Sequence, residues 1–114
     1  MNRFKYPIQG LLTILQKDRN FLWHIPIGFL VIGASFYFNI TRMEWIAVIL
    51  TIFLVLAFEA INTAIEYVVD LVTDDYKLFA KYAKDIAALS VLLISIAAVI
   101  IGLIIFIPYI VNLL

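Results

Sequence analysis

The chain has 114 residues, 66% hydrophobic and only 14% charged, and its eight basic and eight acidic side chains cancel to zero formal net charge. That balance excludes the basic character of a nucleic-acid binder, and the lack of cysteine excludes disulfides and thiolate metal sites. A mean hydropathy of +1.11 places this single domain in lipid rather than water.

The first element is an amphipathic surface helix over about 5–19. Pro7 suits a first helical turn, where its missing N–H has no partner to lose. Ile8, Leu11, Leu12 and Leu15 follow at helical spacing, with Lys17 and Arg19 beyond them, as in a helix lying in a membrane interface. A signal peptide is disfavoured, because the apolar run begins only at Phe21 and no cleavage site follows. The first span covers about 21–39, where Phe21 to Phe38 carries no formal charge and His24, Pro26 and Gly28 make the opening turns irregular. His24 beside Trp23 reads as an interfacial residue. A short turn containing Arg42 leads to the second span, about 44–69, and the third covers about 86–108, with no charge from Ile86 onwards. Pro108 and Tyr109 lie near the exit of that span. Between the second and third spans, Leu71 to Lys84 reads as a polar loop containing Asp74, Asp75 and Tyr76. Each core is long enough for a helix, and the alternation of a β-barrel is absent. The fold class is therefore all-α integral membrane, with three transmembrane helices plus the surface helix.

Charge sets the orientation. Arg3, Lys5, Lys17 and Arg19 precede the first span, and Lys77, Lys81 and Lys84 lie between the second and third. Only Arg42 lies on the opposite side. The positive-inside rule assigns the richer side, with the N-terminus, to the cytoplasm and the C-terminus to the outside.

The second span holds the chemistry. From Trp45 to Phe58 there is no charge and one polar interruption, Thr51. This run is too short for a bilayer core of ~20 residues unless Glu59 lies inside the membrane. An ionisable residue there is by default a functional candidate. Successive helical residues turn by ~100°, so Asn62, Glu66 and Asp70 fall within about 60° of Glu59 and form one stripe with it. Glu59 and Glu66 are two turns apart, ~10 Å along the axis, and can hold separate jobs. Glu66, nearer the surface, can join Asp18 in offering oxygen ligands to a hard cation such as Mg²⁺. Glu59, deeper and less hydrated, suits a general base. Asn62 can fix a carboxylate or a substrate oxygen, and Lys84 beside Asp85 can neutralise phosphate charge.

Blander readings exist for each residue. Asn62 can be helix glue, Asp70 can pair with Lys81 or Lys84, and Ala57, Ala60 and Ala64 look like a close-packing face. Two glutamates on one buried stripe, opposite Asp18-Arg19-Asn20 and Lys84-Asp85, nevertheless favour a site. Four scattered glycines cannot build a P-loop or a glycine-rich kinase loop. The residues alone thus reach a three-span protein with a cytoplasm-facing, metal-capable acidic site, and do not name phosphoryl transfer. A non-enzymatic assembly factor or transporter subunit is the rival.

The run Glu59-Ala60-Ile61-Asn62-Thr63-Ala64-Ile65-Glu66-Tyr67-Val68-Val69-Asp70, followed by Ala83-Lys84-Asp85-Ile86-Ala87-Ala88, closely resembles the signature of the bacterial diacylglycerol kinase family. The resemblance is strongest to its Gram-positive branch, which phosphorylates undecaprenol. Asp18-Arg19-Asn20-Phe21, with His24 following, is similar to that branch's Glu-Arg-Asn-Phe element, and Gly10 falls at the expected distance upstream. The resemblance implies a homotrimeric membrane lipid kinase using ATP and Mg²⁺, with active sites shared between neighbouring subunits. Undecaprenol is the expected lipid, and diacylglycerol is the alternative. It also implies Glu59 as general base, and Asp18 and Glu66 as metal ligands. Asn62, Lys84 and Asp85, and further Tyr6, Asp75, Tyr76 and Lys77, are implied as nucleotide contacts. Two departures stand out. Asp18 replaces the family's usual glutamate, shortening the carboxylate by one methylene. A basic residue that the family places upstream of the surface helix has no counterpart here.

Overall fold

The computed structural model describes residues 3–73 and 75–114 as four helices with no strand among them: α1 Lys5–Lys17, α2 Arg19–Phe38, α3 Arg42–Val72 and α4 Leu78–Leu113. Asp74, expected in the loop after the second span, lies outside the described residues. The last three helices are each long and apolar enough to cross a membrane. They make the chain an all-α membrane protein, with α1 as the additional short helix.

Local chemistry sets each boundary. Asp18 ends α1 in an extended conformation and at the same time caps α2, its side chain accepting a hydrogen bond from the Asn20 N–H. One aspartate thus makes the corner between α1 and α2. Asn39 stops α2 in the left-handed region at φ 56°, a conformation asparagine tolerates better than most residues. Thr41 and Glu44 form a reciprocal capping box that starts α3. Both α3 and α4 continue beyond their apolar cores. The connection between them is residues 73–77, much shorter than the loop read from Leu71 to Lys84. No glycine or proline interrupts those flanks, and Lys81 and Asp85 pair one turn apart within α4.

The burial pattern is inverted relative to a water-soluble bundle. Leu30, Phe36, Phe53 and Ile104 stand exposed, whereas Ser35 and Glu59 are the most completely buried side chains. Lipid solvates apolar surface without penalty, so the interior is free to hold the polar groups. α4 packs chiefly along α3. At the end of the bundle away from Asp18, Ile40, Val48 and Ile105 form a small core. There Phe38 meets both Phe106 and Tyr109, and the Tyr109 hydroxyl donates to Glu44 at 2.5 Å. Ala57, Ala60 and Ala64 are exposed, and Ala60 and Ala64 line a groove that α1 borders with Pro7, Gly10 and Leu11.

Candidate active site

At the opposite end, the stripe on α3 faces the corner between α1 and α2. Asp18, Asn20, Glu59, Asn62, Thr63 and Glu66 line a polar cavity of about 110 Å³, closed on the α4 side by Val91. Helical periodicity places the α3 members on one face, and the extended Asp18 brings a second carboxylate over them. The Asn62 amide donates to Glu66 Oε1 at 3.2 Å, one turn along the same helix. The Thr63 hydroxyl donates to Asp18 Oδ2 at 3.2 Å and ties the corner to α3. Lys17 lies 4.9 Å from the centre of the Tyr67 ring, a cation–π contact that seats the end of α1 on the same helix.

Glu59 is only 2% exposed, and its Oε1 lies 2.6 Å from His24 Nδ1 on α2. Neither Glu59 oxygen makes a directional hydrogen bond with another described group, and the Asn62 carbonyl oxygen is likewise buried without a partner. Unpaired buried acceptors are costly unless another group is to meet them. Beyond His24 an apolar groove of about 430 Å³ runs between α2, α3 and α4, past Gly28, Ile52 and Gly102. His24 borders this groove and Glu59 borders the polar cavity, so their contact is the partition between the two.

The other expected residues lie elsewhere. Lys84 pairs with Asp70 at 2.7 Å and Lys81 with Asp85 at 2.5 Å, on the exposed surface beyond the charge-free parts of α3 and α4. The hydrogen bond from Lys84 holds the Asp70 carboxyl below its ordinary range, and reciprocally raises the Lys84 ammonium above its own. Asp75, Tyr76 and Lys77 occupy the α3–α4 connection. Tyr6 is exposed in the first turn of α1, ~18 Å from Asp18 along the helix at 1.5 Å per residue. None of these side chains lines the polar cavity. Two residues not expected there do matter. Thr63 follows Glu59 by one turn on the same face, a signal present in the sequence. His24 is a contact of Glu59, and no local pattern links it to α3. Among the described residues no three His, Cys, Asp or Glu side chains cluster closely enough to hold a metal by themselves.

The sequence profile of the prokaryotic diacylglycerol kinase family matches residues 5–106. The chain belongs to that family. It is 36% identical over 105 residues to an undecaprenol kinase of Bacillus subtilis, a match covering 92% of this chain and 85% of that protein. It is 42% identical over 100 residues to a diacylglycerol kinase of Synechocystis, covering 87% of this chain but 57% of that longer protein. A diacylglycerol kinase of Haemophilus influenzae is 31% identical over 91 residues, covering 80% of this chain and 77% of that protein. The kinase is therefore a lipid kinase of the membrane, with a lipid substrate and a nucleotide co-substrate, and the non-enzymatic rival falls.

Proposed function

We propose that the kinase transfers the terminal phosphoryl group of ATP directly to the hydroxyl of a membrane lipid alcohol, with undecaprenol as its preferred substrate. The observation that carries this reading is the contact between Glu59, which lines a polar, carboxylate-bearing cavity, and His24, which lines an apolar groove. The lipid tail lies in the groove and in surrounding hydrocarbon, its hydroxyl reaches Glu59, and the nucleotide phosphates occupy the polar side. Glu59 takes the hydroxyl proton as the alcohol oxygen attacks phosphorus and the bond to the leaving nucleotide breaks. Holding the alcohol at the partition supplies much of the orientation that the reaction needs.

Mg²⁺ carried on nucleotide phosphates keeps several waters and needs only one or two protein carboxylates. Asp18 and Glu66 meet that need, and the unpaired Asn62 oxygen adds a further acceptor in the same cavity. A cation held there supplies positive charge against the phosphate oxygens. Lys84 exchanges its surface partner Asp70 for phosphate, and Asp85 and Asn62 help position the nucleotide. Tyr6 and the 75–77 segment contact nucleotide from outside this chain's own cavity, an arrangement suited to a homotrimer with sites shared between subunits. The exposed Ala57 leaves room for a neighbouring helix. The whole chain acts as one kinase domain. The site faces the cytoplasm, because seven of the eight basic residues, all but Arg42, flank that end of the spans.

Asp18 provides one test. Asp18→Ala is expected to raise the Mg²⁺ requirement by about tenfold or more, the scale on which even outer-shell partners act on metal affinity. Asp18→Glu is expected to retain activity, since it restores the family's usual carboxylate. An inactive but folded Asp18→Glu protein would contradict the assignment. Diacylglycerol is the second substrate reading, supported by the name of the Synechocystis relative. Parallel assays of the purified kinase with the two lipids decide between them. Undecaprenol is expected to give the larger kcat/KM by about tenfold, ~1.4 kcal/mol in transition-state binding; the reverse order would transfer the reading to diacylglycerol.

A further inference from the structure

We propose that His24 is a positioning residue for phosphoryl transfer, aiming the Glu59 carboxylate at the lipid hydroxyl. The inference rests on Glu59 as the general base and assigns a role to a second residue at the same site. A carboxylate in a hydrated site is oriented by water. Glu59 is 2% exposed and has no directional hydrogen bond to any described group, so the short contact of its carboxylate with a ring nitrogen on α2 is what can orient it. That nitrogen is His24 Nδ1, at 2.6 Å from Oε1. Two bare acceptors would repel at such a separation, so a proton lies between them, and the imidazole supplies it as Nδ1–H. The resting contact is short without being a directional bond, as is common for catalytic hydrogen bonds before substrate arrives.

The consequence is a division of labour between the two carboxylate oxygens. With Oε1 engaged by His24, Oε2 is left to accept the hydroxyl proton. His24 borders the apolar groove and Glu59 the polar cavity, so Oε1 is held from the side on which the lipid tail lies. The proton of the alcohol ends on Glu59, the new bond forms between the lipid oxygen and phosphorus, and the bond from phosphorus to the leaving nucleotide breaks. His24 therefore acts through Glu59 and need not touch the transferring group. Pro26, inside α2 and two positions on, removes a backbone hydrogen bond next to His24. This loosens the turn that carries the imidazole and permits the small adjustment by which the contact becomes linear.

The geometry makes a discriminating test available. Asparagine carries its amide nitrogen on Cγ, as histidine carries Nδ1, whereas glutamine places its amide one bond further out. With ATP, Mg²⁺ and a lipid alcohol in mixed micelles, His24→Ala is expected to lower kcat roughly 10- to 100-fold, the scale of a small misplacement of a reacting group. KM for ATP is expected to stay within about twofold, because no nucleotide contact is lost. His24→Asn should recover most of that loss and His24→Gln little of it. His24→Ala combined with Glu59→Gln should fall within about twofold of Glu59→Gln alone, since a residue acting through Glu59 has nothing left to position. The inference is overturned if His24→Asn is as slow as His24→Ala, or if the double variant shows the full product of both losses. Those results leave the Glu59 reading intact, whereas a fully active Glu59→Gln protein would remove both.

Discussion

Glu59→Gln is expected to lower lipid phosphorylation by ~10²–10⁴-fold, the usual contribution of a general base, while MgATP affinity changes little. Glutamine has nearly the same volume, so the close packing around a side chain only 2% exposed is kept. Its carbonyl oxygen can still accept from His24 Nδ1, and the fold has no new unpaired charge to bury. What disappears is the ability to take a proton. The loss should therefore fall on kcat and appear at saturating ATP and saturating lipid. If this variant instead lost ATP binding and kept its turnover at high ATP, the roles of the two glutamates would be exchanged.

Glu66→Gln should fail differently. The Asn62 amide donates to Glu66 Oε1 at 3.2 Å, and a glutamine carbonyl can accept the same bond. The substitution thus removes charge from the polar cavity with little change in shape. A hard cation depends on that charge, and Glu66 is one of only two carboxylates proposed to hold it. Lipid phosphorylation should be abolished and MgATP affinity should fall by about tenfold or more, on the scale of lost metal-shell interactions. The protein should still insert and assemble, because Glu66 joins no ion pair among the described residues. Near-normal activity in saturating Mg²⁺ would count against the metal assignment. Comparing ATP binding in the two variants separates chemistry at Glu59 from nucleotide capture at Glu66.

Much of this arrangement is legible in the sequence, because lipid simplifies what must be read. Charge-free stretches mark the spanning helices, and an acidic residue at the end of such a stretch stands out at once. The 3.6-residue period then puts Glu59, Asn62, Glu66 and Asp70 on one stripe. The same period includes Thr63, but threonine in an apolar helix commonly bonds its own backbone and attracts no attention. Asp18 is harder to place. Its meeting with Thr63 depends on the corner between α1 and α2, whose direction follows from one extended residue. His24 is harder still, since its contact with Glu59 joins two helices through tertiary packing alone. The extra helical turns flanking residues 73–77 were masked by polar composition, which marks a surface as readily as a loop. Which contacts Ala57, Ala60 and Ala64 serve is equally silent in sequence, because small residues serve contacts within a chain and between chains alike.

The central claim is that the cavity lined by Glu59 and the groove lined by His24 serve a direct transfer from ATP to a lipid hydroxyl. Its most direct test is to give the purified kinase ATP labelled on the terminal phosphate, with and without a lipid alcohol, and to follow the label. The account predicts one labelled lipid formed for each ADP released, negligible ADP without the alcohol, and no label retained on the protein. ADP release that does not depend on the lipid, or label that accumulates on a protein side chain, would contradict it.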